Sequence, residues 1–198
     1  ILHQIVSEGH EHEGEVPTDL ELARCVAILA KYYSDTLTEN DYICDPAAGS
    51  GNLLSAAIDI FQVEPYQIKA NDINKQLIEL QSLRLGLEFV QTIRSPNTPV
   101  ISTKNITELP EDYFDNIKAI ILNPPFLAGI NAVARKEELF RRIRVLTRQN
   151  PITQIGQIGL EAVFIELTNI LAQSDTVIAA IIPKTHLTAR GPEAVQFR

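Results

Sequence analysis

A chain of 198 residues, 45% hydrophobic and 21% charged, is long enough for one domain with a real core. No apolar run is long enough to span a bilayer, no signal peptide is visible, and two cysteines make no disulfide framework, which argues against membrane-spanning and disulfide-stapled secreted classes. A net charge of −8 argues against a self-sufficient nucleic-acid-binding domain. The chain begins Ile1-Leu2, contains no methionine and stops at Gln196-Phe197-Arg198, so we read it as a fragment or the ordered part of a longer protein; the alternative is a small complete domain with its initiator removed.

Residues 7–16 form a polar lead-in, in which His10 and His12, flanked by glutamates, read as solvated rather than metal-binding. Thr18-Asp19-Leu20-Glu21 has the form of a capping box with Thr18 as the cap, and Leu22, Cys25, Val26, Leu29 and Tyr33 follow at helical spacing. A first strand, 41–44, ends at Asp45-Pro46; its Cys44 reads as a buried thiol in a reducing compartment. After the turn Gly49-Ser50-Gly51 comes a helix with Leu53, Leu54, Ala57, Ile58 and Phe61 inward. Further strands are expected at 67–70, 100–103, 117–122 and 176–182, and further helices at about 75–90, 132–148 and 160–172. This alternation predicts an α/β fold with a doubly wound, mostly parallel sheet, the strands falling in residues 39–198 behind an N-terminal lead-in and helix over 1–38.

The run Ile117–Leu122 shows no alternation, as in a strand buried on both faces. Asn123-Pro124-Pro125-Phe126 stops it, because neither proline offers an N–H to a ladder. An amide, two rigid carbonyls and a ring thus meet at the carboxyl end of a central strand, where open α/β sheets bind ligands. Such a group can hold a planar amino group and stack on its ring; taken alone, it is equally a strand-terminating turn. Asp45-Pro46-Ala47-Ala48-Gly49-Ser50-Gly51-Asn52 lets a ligand approach the backbone and a helix N-terminus. The third glycine of a dinucleotide fingerprint would fall at Leu54, which disfavours NAD. Asp72, 21 positions after Gly51, stands where an acidic side chain binds ribose hydroxyls.

The order Asp-Pro-Ala-x-Gly-Ser-Gly, then Asp72, then Asn-Pro-Pro-Phe resembles S-adenosylmethionine-dependent adenine-N6 DNA methyltransferases. It is most similar to the gamma-type arrangement of type I modification subunits and fused type II restriction enzymes. The resemblance spans about residues 14–190 and implies a class I, Rossmann-like methyltransferase domain over 39–198, incomplete at its C-terminus. The 1–38 segment would close the cofactor pocket, with Gly14-Glu15-Val16-Pro17-Thr18 in the matching place. It also implies that S-adenosylmethionine is held by Thr18, Asp45, Ala47, Gly49, Gly51, Asn52, Asp72, Ile73, Asn105 and Phe164, Asn105 standing where the family often has an acidic residue at the cofactor adenine. Asn123 and Pro124 would accept the hydrogens of a flipped-out adenine amino group, Pro125 and Phe126 completing the site with Phe126 stacked on the base. The implied setting is the cytoplasm of a prokaryotic cell, without a membrane partner, with DNA as substrate and a specificity or nuclease subunit or fused domain as partner.

Arg135, Lys136, Arg141, Arg142, Arg144 and Arg148 place six of the 17 basic residues within 14 positions after the tetrad. They read either as phosphate contacts beside the flipped base or, with Glu137 and Glu138 among them, as a solvated helix. Two other functions stay open: methyl transfer to another planar nitrogen, as on an RNA guanine amino group or a protein glutamine amide, and a non-catalytic module that binds cofactor or a partner.

Overall fold

The computed structural model describes residues 17–88, 99–127, 129–154, 158–184 and 186; the expectations for His10, His12 and Gly14 to Val16 lie outside them. Its strands are β1 (Tyr42–Asp45), β2 (Ile68–Asn71), β3 (Val100–Ser102), β4 (Ile117–Leu122) and β5 (Val177–Ala180). All pair in parallel in one five-stranded sheet of order β3-β2-β1-β4-β5. From β1 the chain winds outward through β2 and β3, then crosses back to add β4 and β5 on the other side. The switch point lies between β1 and β4, where Cys44 pairs with Ile120. The expected doubly wound parallel sheet is therefore present.

The helices are α1 (Leu20–Tyr33), α2 (Asn52–Phe61), α3 (Lys75–Glu88), α4 (Gly129–Thr147) and α5 (Leu160–Leu171). Ala119 and Ile121 of β4 join a core with α1 and α2, while Ile120 and Leu122 join one with α4 and α5. Two apolar faces on one strand are the reason its sequence shows no alternation. The strand and helix ends differ from the sequence reading by a few residues: β5 is shorter than expected and α4 starts earlier, at Gly129. The stretch expected to carry α3 to residue 90 leaves the described residues after Glu88. Cys44 is buried, as expected, and its thiol is pushed up by that burial, with the Asp45 charge adding to the rise. Among the described residues no helix is long and apolar enough to cross a membrane.

Two expectations for α1 are corrected. Its N-cap is Asp19, whose carboxylate accepts from the N–H groups of Glu21 (2.8 Å) and Leu22 (3.3 Å), so Thr18 is not the cap. Its inward face consists of Ala23, Val26, Ala27 and Ala30, while Leu22, Cys25, Leu29 and Tyr33 are exposed. Small side chains let α1 approach α2, which meets it with its own Ala56 and Ala57 in the same core; the spacing of the larger residues marked the wrong face.

Asp19→Ala is expected to cost about 1 kcal/mol of stability, and Asp19→Asn, which keeps a capping oxygen, much less. Urea unfolding reads both; an equal loss in the two variants would contradict the capping role.

Candidate active site

The carboxyl ends of β1, β2 and β4 open onto one cavity of about 590 Å³, a size usual for small-molecule sites. Asp45, the last residue of β1, lies in its wall but is only 1% exposed. Its Oδ1 accepts from the Ala47 N–H at 3.0 Å, while Oδ2 is buried without a hydrogen-bond partner. Burial pushes this carboxyl well above the usual range; the Ala47 N–H pulls the other way, and the Asp72 charge adds to the rise. A buried oxygen of this kind is a costly feature unless a donor or cation completes it.

The glycine turn follows from backbone geometry. Gly49 (φ 52°) and Gly51 (φ 84°) occupy left-handed conformations that other residues adopt reluctantly. A Cβ on Gly51 would stand 2.8 Å from Gln81 Cγ of α3, whereas one on Gly49 would meet nothing within 4 Å. Gly49 therefore leaves open space, and Gly51, which does not line the cavity, is the packing contact that seats the turn on α3. Asn52 and Leu53, in the first turn of α2, line the cavity where a helix presents unbonded N–H groups. Asp72, just past β2, accepts from the Gly49 N–H through Oδ2 and from the Asn74 N–H through Oδ1, both at 2.8 Å. These two bonds join the glycine turn to the loop after β2.

At the end of β4, Asn123 is half-buried, and its Nδ2 donates to Thr18 Oγ1 at 3.1 Å. Its Oδ1 is shut off from solvent. Pro124 and Pro125 line the cavity. Phe126, expected against a bound base, is half-buried and does not line it; the next residue, Leu127, does. Thr18, Ala47, Ile73 and Phe164 line the cavity, Phe164 being also part of the core beneath α5.

Asn105 lines the cavity, but both ends of its amide are engaged by protein groups. Oδ1 accepts from the Thr107 N–H at 3.2 Å, and Nδ2 donates to Glu138 Oε2 at 3.1 Å. These two bonds hold the plane of the Asn105 amide at the cavity wall. Glu138 on α4 itself lines the cavity and brings an acidic group to this corner, a placement that its position among the arginines in sequence does not signal. Arg135, one turn earlier, also lines the cavity and Arg141 is exposed. Lys136 and Arg142 donate to the carbonyls of Ile158 and Leu109, so the basic cluster is not one phosphate-facing row. Among the described residues no group of histidine, cysteine or acidic side chains could hold a metal ion.

No family model and no curated protein matches the chain. Solved structures do. Over 99% of its length the chain is 44% identical to 23% of the type IIG restriction endonuclease BpuSI, with a TM-score of 0.91. It thus spans about a quarter of that relative. A type I restriction–modification methyltransferase subunit from Streptococcus thermophilus is 15% identical over 98% of this chain and 40% of its own, with a TM-score of 0.66. A Listeria monocytogenes protein assigned to the class I S-adenosylmethionine-dependent methyltransferases is 16% identical over 99% and 55%, with a TM-score of 0.64. The fold is that of the class I methyltransferases, and the resemblance to type I modification subunits and fused type II restriction enzymes holds.

Asp45 makes the stability of the ligand-free protein depend on pH. Its carboxyl is raised in the folded state only, so the folded protein holds a proton that the unfolded chain has released. Stability is therefore expected to fall as pH rises from the ordinary aspartate value of about 4 up through the raised one. Asp45→Asn should remove that fall and stabilise the ligand-free protein at the high-pH end. Urea unfolding across a pH series measures it, and an unchanged pH profile in the variant would contradict the buried charge.

Proposed function

We propose that this chain is the catalytic region of a restriction–modification DNA methyltransferase, transferring a methyl group from S-adenosylmethionine to the exocyclic amino group of a flipped-out adenine. The single observation that carries this reading is the meeting of Asp45, Gly49, Asp72 and Asn123 to Pro125 around one cavity. The 44% identity to a restriction endonuclease supports the setting.

The donor set suits the cofactor. The buried Asp45 Oδ2 matches an ammonium group, which would draw the carboxyl back to its charged form. The first-turn N–H groups of α2 match a carboxylate. Gly49 keeps the wall open, and Asp72 stands in the wall past β2, where an acidic side chain meets ribose hydroxyls. When bound, S-adenosylmethionine supplies an electrophilic methyl group on a positively charged sulfur.

The protein's part in the chemistry is to prepare the nucleophile. The lone pair of an adenine amino group is delocalised into its ring. Asn123 Oδ1 and the Pro124 carbonyl accept the two amino hydrogens, which turns the nitrogen toward a tetrahedral form and aims its lone pair. The Pro124 carbonyl is held by the backbone just past a buried strand and by its own ring, and Asn123 leaves the same strand end beside it, which lowers the reorganisation needed. Oδ1 is shielded from bulk solvent, which strengthens its pull on an amino hydrogen. A base within a duplex cannot reach such a pocket, and its extrusion costs a few kcal/mol. Arg135 lines the cavity from α4 and would meet a phosphate beside the flipped base; with a net charge of −8, most of the DNA grip falls to a fused domain or partner subunit.

The test uses the intact protein, unmethylated DNA and labelled S-adenosylmethionine. Asn123→Ala is expected to lower transfer by at least about a hundredfold while binding S-adenosylhomocysteine within about twofold of wild type. Retained transfer would refute the role of Asn123. Transfer to RNA or to a glutamine amide, but not to DNA, would move the reading to one of the other planar nitrogens.

A further inference from the structure

Thr18 is not the cap of α1, and its side chain and main chain are both used elsewhere. Its Oγ1 accepts from Asn123 Nδ2 at 3.1 Å, and its carbonyl oxygen accepts from Asn52 Nδ2 at 2.6 Å. Asn52 Oδ1 in turn accepts from Arg84 Nη1 of α3, and the same guanidinium nitrogen donates to the Ser50 carbonyl at 3.2 Å. A chain of hydrogen bonds thus runs Arg84–Asn52–Thr18–Asn123. It joins α3, the first turn of α2, the segment before α1 and the end of β4.

The polarity of two links is forced. A guanidinium only donates and a main-chain carbonyl only accepts. Asn52 must therefore turn Oδ1 to Arg84 and Nδ2 to Thr18, and it cannot swap ends without breaking both bonds. This anchors Thr18 at a fixed distance from the glycine turn. Thr18 then places one hydroxyl against Asn123. The terminal torsion of an asparagine is broad, so strand geometry alone does not fix the plane of that amide.

We infer that Thr18 is a positioning residue for the Asn123 amide, held in place by Asn52 and Arg84, so that the turn that seats the methyl donor also sets the group that grips the target amino nitrogen. The inference rests on the role proposed for Asn123 and adds a device to it. A ligand seated against Asn52 and the glycine turn would stiffen the same chain that ends on Asn123, coupling the two halves of the cavity without contact between their side chains.

The experiment is a comparison of Thr18→Val and Thr18→Ser in the intact protein. S-adenosylhomocysteine binding is measured by calorimetry, and kcat and KM by labelled methyl transfer to DNA. Valine keeps the shape and removes the hydroxyl. A misplaced catalytic group commonly costs about a hundredfold, so Thr18→Val should lower kcat about 10- to 100-fold, with cofactor affinity within about twofold of wild type. Thr18→Ser should restore most of the rate. Asn52→Asp keeps the acceptor for Arg84 but loses the donor to Thr18; because it puts a negative charge in the first turn of α2, its kcat is read at saturating S-adenosylmethionine, where it should fall in the same way and add little to Thr18→Val in the double variant. Should Thr18→Val fail to fold, this second variant against wild type still reads the chain.

Unchanged or raised kcat in Thr18→Val would overturn the inference. So would a loss of cofactor affinity in step with the rate, which would make Thr18 a cofactor ligand, or a serine variant as poor as valine. A wild-type protein that binds S-adenosylhomocysteine yet methylates nothing would instead sink the proposed function, so the two failures are distinguishable.

Discussion

The pairing of β1 with β4 is the constraint from which the site follows. These strands are distant in sequence and adjacent in the sheet, with Cys44 opposite Ile120. Because both run in the same direction, their carboxyl ends open side by side. Asp45 with the glycine turn leaves one, and Asn123-Pro124-Pro125 leaves the other. Neither segment could make a cavity alone. The two apolar cores, one on each face of β4, hold that pairing, so the burial that makes Ile117 to Leu122 a strand also places Asn123.

Two buried polar side chains at this junction work against stability. Asp45 has a buried oxygen with no partner, and Gln81 is buried behind the glycine turn with neither end of its amide bonded. Costs of this kind concentrate where binding will offset them. The groups with satisfied bonds serve geometry instead. Asn71 ties the Pro46 carbonyl to both main-chain groups of Lys104, locking the ends of β1, β2 and β3 into one frame.

The sheet was legible in the sequence because its central strand is buried on both faces and its turns carry proline and glycine, which punctuate a chain whatever surrounds them. The glycine turn and the tetrad were legible for the same reason. What could not be read was tertiary. Both Thr18 and Asp19 are good caps, and only the geometry of the entering chain shows that Asp19 takes the work and releases Thr18. The face of α1 was misassigned because spacing favours leucine and tyrosine, whereas a close helix crossing selects alanine. Asn105 had no sequence signal for its bond to Glu138, since that contact joins the loop after β3 to a helix after β4. The basic cluster read as one surface because its inward bonds to the carbonyls of Leu109 and Ile158 leave no trace in composition.

The central claim is that one cavity brings a methyl donor to an adenine amino group. It is tested most directly by nucleoside mass spectrometry of unmethylated DNA after incubation of the intact wild-type protein with S-adenosylmethionine carrying a deuterated methyl group. The expected result is deuterated N6-methyladenine and no other methylated nucleoside. Label on cytosine, or none on DNA despite measured cofactor binding, would contradict the account.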